Sequence, residues 1–174
     1  GDGEDIVTIT VYDSFGRPEK DYIPVSDTNN GLSYKPSIDT DFIDNFYDAK
    51  YNLEWPGSIK ENPYSQKLFE DSPINRVLEQ AAPGEDWKLS NNNVIEFDYQ
   101  SNDSDDVKLY SVSLASDYKP TLTGGSNYYS ENLLYKSSTY DENHTSGTAH
   151  STEEYKDKLG RVVLKRTYGD ADLN

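Results

Sequence analysis

The sequence predicts a mainly β protein: sequential antiparallel hairpins laid into an extended, twisted sheet or a fragment of a β shell, with one short helix near residues 39–51. Three observations carry this. Several stretches alternate apolar and polar residues with period 2, the spacing that sends successive side chains to opposite faces of a strand. The phrase Asp-x-x-Gly-Arg occurs twice, at Asp13–Arg17 and Asp157–Arg161, each time between two strand-like stretches. Leu, Ile, Val and Phe make up only about a fifth of the 174 residues, while 15 Tyr and 2 Trp are present. Tyr packs its ring and keeps its hydroxyl at a wet edge, so this balance suits thin, half-solvated sheets.

The chain reads as one β-rich segment over residues 1–174 with three parts: a first hairpin at 1–25, a loop- and helix-containing insertion at 26–90, and a hairpin ladder at 91–174. Ile6 to Tyr12 alternates as one strand, with Val7, Ile9 and Val11 on one side. Arg17 to Val25 continues extended, and Pro18 and Pro24, which lack ladder donors, mark it as an edge or irregular strand. Asp39 or Thr40 is placed to cap a helix whose apolar stripe is Phe42, Ile43, Phe46 and Tyr47. Gln66 to Glu70 is short and mixed. Ser72-Pro73 suits either a helix start or a turn feeding a strand; the turn is preferred because Asn75-Arg76-Val77 echoes Gly160-Arg161-Val162.

Val94–Gln100 and Val107–Leu114 alternate about the polar Ser101–Asp106, which predicts a hairpin. Thr123-Gly124-Gly125-Ser126 reads as a loop. Leu133–Tyr140, Ser151–Tyr155 and Arg161–Tyr168 complete the strands.

Each position of Asp-x-x-Gly-Arg has a backbone reason. The Asp13 and Asp157 side chains accept a hydrogen bond from the backbone two residues on. The next two residues take type I turn conformations. Gly16 and Gly160 turn left-handed, forming the bulge that lets both strands continue with the right twist. Arg17 and Arg161 open the return strand, covering apolar surface with the stem and reaching a carboxylate with the head.

Tyr12-Asp13-Ser14-Phe15-Gly16-Arg17 resembles the tyrosine–aspartate repeat of the Rhs (rearrangement hot spot) proteins, whose signature is Tyr-Asp-x-x-Gly-Arg. Lys156-Asp157-Lys158-Leu159-Gly160-Arg161 is similar, with Lys where the aromatic belongs and Tyr155 beside it. Together with Ser72–Val77, Tyr110–Leu114 and Tyr155–Leu164, these stretches look like the N-terminal portion of Rhs-repeat proteins from the Bacteroidetes, upstream of the repeat array. The resemblance implies a large secreted or cell-surface bacterial protein whose hairpins wind into a hollow shell around a variable C-terminal toxin. It implies that the partners of this segment are other segments of the same polypeptide.

Composition narrows the alternatives. A net charge of −16, from 32 acidic and 16 basic residues, repels phosphate backbones and anionic lipid, so neither nucleic-acid binding nor membrane insertion is expected. There is no Cys, and no apolar run approaches membrane-spanning length. No nucleophile elbow, phosphate loop or dinucleotide fingerprint is present. His144 and His150 sit in a Ser/Thr/Asn-rich loop without a third ligand at recognisable spacing. Asn102-Asp103-Ser104-Asp105-Asp106 offers the oxygen ligands that calcium takes, yet lacks the Gly and distal Glu of an EF-hand loop. No cofactor and no catalytic residue are expected. The second expectation, after a structural segment, is a surface-carbohydrate-binding module, calcium-assisted or not, stacking sugars on Trp55, Trp87, Tyr128 and Tyr129, which stand beside Gly, Pro, Asn and Ser.

Overall fold

A computed structural model describes residues 4–28, 34–51 and 62–169. The fold is mainly β with one α-helix among the described residues, built from antiparallel hairpins that do not close into a barrel. Where the sequence reading treats 1–174 as one segment, the chain divides into two compact units, Gly1–Glu96 and Phe97–Asn174.

The first unit begins with β1 (Asp5–Val7), β2 (Thr10–Tyr12), β3 (Pro18–Tyr22) and β4 (Val25–Asp27). The single strand expected over Ile6–Tyr12 is therefore two. Residues 5–7 pair with β4, and residues 10–12 pair with β3. The alternation survives the break, because Val7, Ile9 and Val11 all pack on one core. Nor is β3 an edge: it lies between β2 and β5 (Tyr64–Phe69). Pro18 costs no ladder bond there because it is the first residue of the strand, and Pro24 falls in the gap before β4.

The helix α1 spans Thr40–Tyr51. Asp39 caps it, its Oδ1 accepting from the Phe42 N–H at 2.9 Å. Ile43, Phe46 and Tyr47 turn inward onto Tyr22, Val25 and Ile38, while Phe42 is more exposed. The Tyr47 hydroxyl donates to the Pro24 carbonyl at 2.5 Å, tying the helix to the β3–β4 connection. Tyr22 and Tyr64 face each other in register with ring centroids 4.9 Å apart, so tyrosine does fill a core short of aliphatics.

Residues 64–69 form a six-residue strand, not a short mixed stretch, and β6 (Val77–Ala81) follows the turn at Ser72 as preferred. Asn62 holds this hairpin at its open end. Buried, it donates to the carbonyls of Tyr64, Ala82 and Gly84 at 3.2–3.4 Å. Strand β7 (Ile95–Ser101) begins by pairing with β6.

The second unit holds β8 (Lys108–Leu114), β9 (Pro120–Tyr128), β10 (Tyr135–Tyr140), β11 (Ser151–Lys156) and β12 (Val162–Tyr168). The hairpin expected between 94–100 and 107–114 does not form. Strand β8 pairs instead with β9, the segment carrying Gly124-Gly125 that was expected to be a loop. Those glycines make β9 possible. The two strands shift register opposite Lys108–Tyr110, and a Cβ on Gly124 would stand 2.4 Å from the Leu109 carbonyl oxygen. Strands β10, β11 and β12 form an antiparallel ladder in that order. Its core is Val107, Leu134 and Tyr155, with Tyr129, Val163 and Leu164 packed against it.

Candidate functional site

The two Asp-x-x-Gly-Arg turns adopt one structure. In the first, Asp13 Oδ1 accepts from the N–H groups of Phe15 and Arg17, both at 2.9 Å, and Asp13 Oδ2 accepts from Arg17 Nε at 2.6 Å. In the second, Asp157 Oδ1 accepts from Leu159 and Arg161, both at 2.9 Å, and Oδ2 accepts from Arg161 Nε at 2.7 Å. Gly16 and Gly160 are left-handed, with φ of 77° and 78°. Beside each turn the ladder shifts register, opposite Glu19 in the first hairpin and opposite Val163 in the second. Desolvation works against the Asp13 charge, but the Arg17 and Phe15 hydrogen bonds hold its carboxyl below the usual carboxylate range. The Arg161 backbone and side-chain bonds do the same for Asp157.

Two further hairpins reuse the geometry with other residues. Between β5 and β6, the Glu70 N–H donates to the Arg76 carbonyl at 2.9 Å, while Glu70 Oε1 accepts from Arg76 N–H and Nε, both at 3.2 Å. Ser72 Oγ accepts from Ile74 N–H at 3.1 Å, and Asn75 supplies the left-handed residue with φ 60°. The acid–arginine clamp is thus kept although the acid lies farther from the arginine. Between β8 and β9, Ala115 and Lys119 close the turn and Tyr118 is left-handed with φ 60°. The signal for these two variants was a left-handed-tolerant Asn before Arg in one case; the other has none in its residue types.

The environments of the two motif arginines differ. Arg17 donates through Nη1 to the Glu70 carbonyl at 2.8 Å and lies over the Phe69 and Phe15 rings, 4.7 and 5.1 Å from their centroids. Its side chain is 11% exposed, against 74% for Arg161.

The second unit contains a cluster that sequence reasoning missed. Glu153 is 6% exposed. Its carboxylate meets Lys136 Nζ at 2.8 Å, Arg166 Nη2 at 2.9 Å, and accepts from Arg166 Nε at 3.0 Å, Tyr168 OH at 3.1 Å and Tyr155 OH at 3.3 Å. Arg166 and Lys136 also lie over the Tyr155 ring, at 5.1 and 5.6 Å. Burial pushes the Glu153 carboxyl up, but Lys136, Arg166 and Tyr168 outweigh it and hold the group low. Lys136, although desolvated, is held well above the ordinary lysine value by Glu153 and Tyr155. A carboxylate so fully engaged is an anchor; a general acid or base needs a proton it can exchange near neutral pH. The available signal was the period-2 row Ser151, Glu153, Tyr155 opposite Arg166 and Tyr168.

The remaining sequence candidates are dispersed. Trp55 lies outside the described residues. Trp87 ends a 3-10 turn at Glu85–Trp87 and is 39% exposed; Tyr128 is 41% exposed at the end of β9, while Tyr129 packs on the core of its unit. His150 Nδ1 lies 3.3 Å from Asp141, and the His144 ring lies tilted against Tyr140 with centroids 4.4 Å apart. Among the described residues no group of three His, Cys, Asp or Glu is gathered as a metal site would need. Asn102 is buried and occupied: its side chain donates to the Asp103 and Ser130 carbonyls and accepts from Leu134 N–H at 2.7 Å. Asp106 accepts from Asp103 N–H at 2.9 Å. Elsewhere, a cleft of about 800 Å³ in the first unit is lined by Ile6, Thr8, Tyr34, Lys35 and Asp39 among others. Lys35 there bridges Asp5 and Asp27 at 2.9 and 3.0 Å, placing its positive charge between two acids that stand opposite each other in the β1–β4 ladder.

A sequence family described as a domain of unknown function, DUF6443, matches residues 1–101, more than half of the chain. The chain belongs to the DUF6443 family. The DUF6443 match covers the first unit and ends with the last residue of β7, so the first motif turn and the Glu70–Arg76 variant fall inside it, and the Glu153 cluster outside. No curated protein and no solved structure matches the chain.

Proposed function

We propose that the chain is a non-enzymatic structural segment of a secreted or surface Rhs-type protein, contributing to a β shell that encloses a C-terminal toxin. The observation that carries the reading is the pair of Asp-x-x-Gly-Arg turns with the same hydrogen bonds to within 0.1 Å, since that phrase is the one that resembles the tyrosine–aspartate repeat. The clamped acids support it: Asp13, Glu70 and Asp157 each hold a turn, and Glu153 holds a sheet face. A scaffold requires this of its charges, and an active site requires the opposite.

The second reading, a surface-carbohydrate-binding module, draws on the exposure of Trp87 and Tyr128. A glycan array followed by calorimetry separates the two. The scaffold reading expects no saturable binding. Micromolar binding that vanishes in Trp87→Ala or Tyr128→Ala would replace it with the carbohydrate module.

A further inference from the structure

Strands β8 and β9 pair only with each other among the described residues. Every residue of β8 is exposed, and every residue of β9 except Gly125. A two-stranded ribbon with water on both faces is marginally stable at best. One of its faces is also apolar. Register sets Val112 opposite Leu122 and Leu114 opposite Pro120, with Tyr110 two residues before Val112 on the same side. Tyr110, Val112, Leu114 and Leu122 are each 53–67% exposed. The other face, past Leu109 at its base, carries the hydroxyls of Ser111, Ser113, Thr121 and Thr123, and those of Ser111 and Thr123 are hydrogen-bonded at 2.9 Å.

Charge narrows what can cover the apolar face. Residues 109–116 and 120–130 hold no charged side chain, in a chain of which 28% of the residues are Asp, Glu, Lys or Arg. The turn between them holds Asp117 and Lys119, paired with each other at 2.9 Å. The ribbon thus brings no unpaired charge to a surface of low polarity. Tyrosines stand at both ends, Tyr118 at the tip and Tyr110 and Tyr128 towards the base, and such rings favour the headgroup level of a bilayer.

A protein partner fits less well. At these exposures the four side chains present on the order of 500 Å² of apolar surface, a large patch for a monomer but short of the roughly 800 Å² that each partner gives to a stable protein interface. A second copy would also bring another net charge of −16 to the contact. A lipid surface requires neither matched shape nor opposite charge. The overall charge that argues against anionic lipid resides outside this ribbon, and β8, at seven residues, is too short to span a bilayer.

We infer that the β8–β9 ribbon is a membrane-contact element. Its apolar face lies flat in the interface of an electrically neutral bilayer, with the hydroxyl face towards water and neither strand crossing. This goes beyond the scaffold reading and does not depend on it.

The chain has no Cys, so single cysteines carry a label to a chosen face. Leu122→Cys and Thr121→Cys, made separately in the full chain and labelled with a polarity-sensitive fluorophore, are mixed with phosphatidylcholine vesicles. The label at Leu122→Cys is expected to brighten at least about threefold and to be quenched by nitroxide-bearing lipid, while the label at Thr121→Cys changes far less. Val112→Asp, at an exposed position of the same face, should abolish the gain, and Val112→Ile should keep it. No brightening with vesicles, equal brightening at both positions, brightening without vesicles as protein concentration rises, or a gain that survives Val112→Asp each overturns the inference. Brightening without vesicles would make the occupant a second copy of the chain. The glycan experiment does not read the apolar face of this ribbon at Val112, Leu114 and Leu122, so the scaffold reading stands or falls separately.

Discussion

Arg17 donates to the backbone carbonyl of Glu70, 2.8 Å away and 53 residues further along the chain. Because Arg17 is itself clamped by Asp13, and Glu70 clamps Arg76, this bond links the first two hairpin turns into one chain of acid–arginine contacts. It also gives the first copy of the motif a contact beyond its own turn.

Arg17→Ala is expected to destabilise the chain by about 1–3 kcal/mol, since it removes a charge-assisted hydrogen bond, two ring contacts and buried stem packing. Arg161→Ala, at an exposed ion pair, is expected to cost about 0–1 kcal/mol. Urea unfolding of both variants measures the difference. Equal losses would mean that the contacts beyond the turn contribute nothing.

The left-handed turn position makes opposite predictions at two sites. A Cβ on Gly160 meets nothing within 4 Å, so the cost of Gly160→Val comes from the backbone alone, about 1–3 kcal/mol at φ 78°. Tyr118 already occupies the equivalent conformation as a bulky residue with a φ of 60°. Tyr118→Gly should therefore stabilise the β8–β9 hairpin by up to about 1 kcal/mol. Amide exchange in residues 108–128, compared between variant and parent, reports it.

Glu153→Gln should cost about 3 kcal/mol, because it strips the charge partner from Lys136 and Arg166 at a buried position. The paired change Glu153→Leu with Lys136→Met should cost less than Glu153→Gln alone, since it removes two charges together. Chemical denaturation of the three proteins checks the order, and the reverse order would show that the ion pair contributes little.

Asp44 behaves differently from the clamped acids. Its Oδ1 is buried without a hydrogen-bond partner, and burial, with Asp41 nearby, raises its pKa. Burial, Asp44 and Tyr64 together push the neighbouring Tyr22 up to about 12. A carboxyl whose folded pKa lies above its unfolded value costs stability at neutral pH, and the cost fades as pH falls through the folded pKa towards the unfolded one. Asp44→Asn should therefore melt higher than the parent at pH 7, with the gap closing below about pH 4. Asp13, Glu70, Glu153 and Asp157 act with the opposite sign, their contributions being lost in acid. Melting curves of the parent and Asp44→Asn across this range separate the two effects.

The parts of the fold legible in the sequence are those decided within a few residues. The Asp13 and Asp157 turns close their hydrogen bonds over four residues, and the α1 cap closes over three. The pairings across those turns, β2 with β3 and β11 with β12, were legible; pairing elsewhere was not. Ile95–Ser101 and Lys108–Leu114 have the alternation of hairpin partners, but Asn102, between them, bonds to Ser130 and Leu134 and so sends the chain elsewhere. Gly124-Gly125 reads as a loop in isolation and is a strand because it lets β9 approach Leu109. The Glu153 cluster escaped for the same reason: its members come from β10, β11 and β12, and register brings them to one face.

The central proposal is that these clamped hairpins are wall elements of a β shell. Electron cryomicroscopy of an Rhs-type polypeptide carrying this chain tests it most directly. The proposal predicts that the clamped hairpins of each unit lie in the wall of a hollow shell. A polypeptide with no further β-hairpins, or one in which this segment stands apart from any shell, would contradict it.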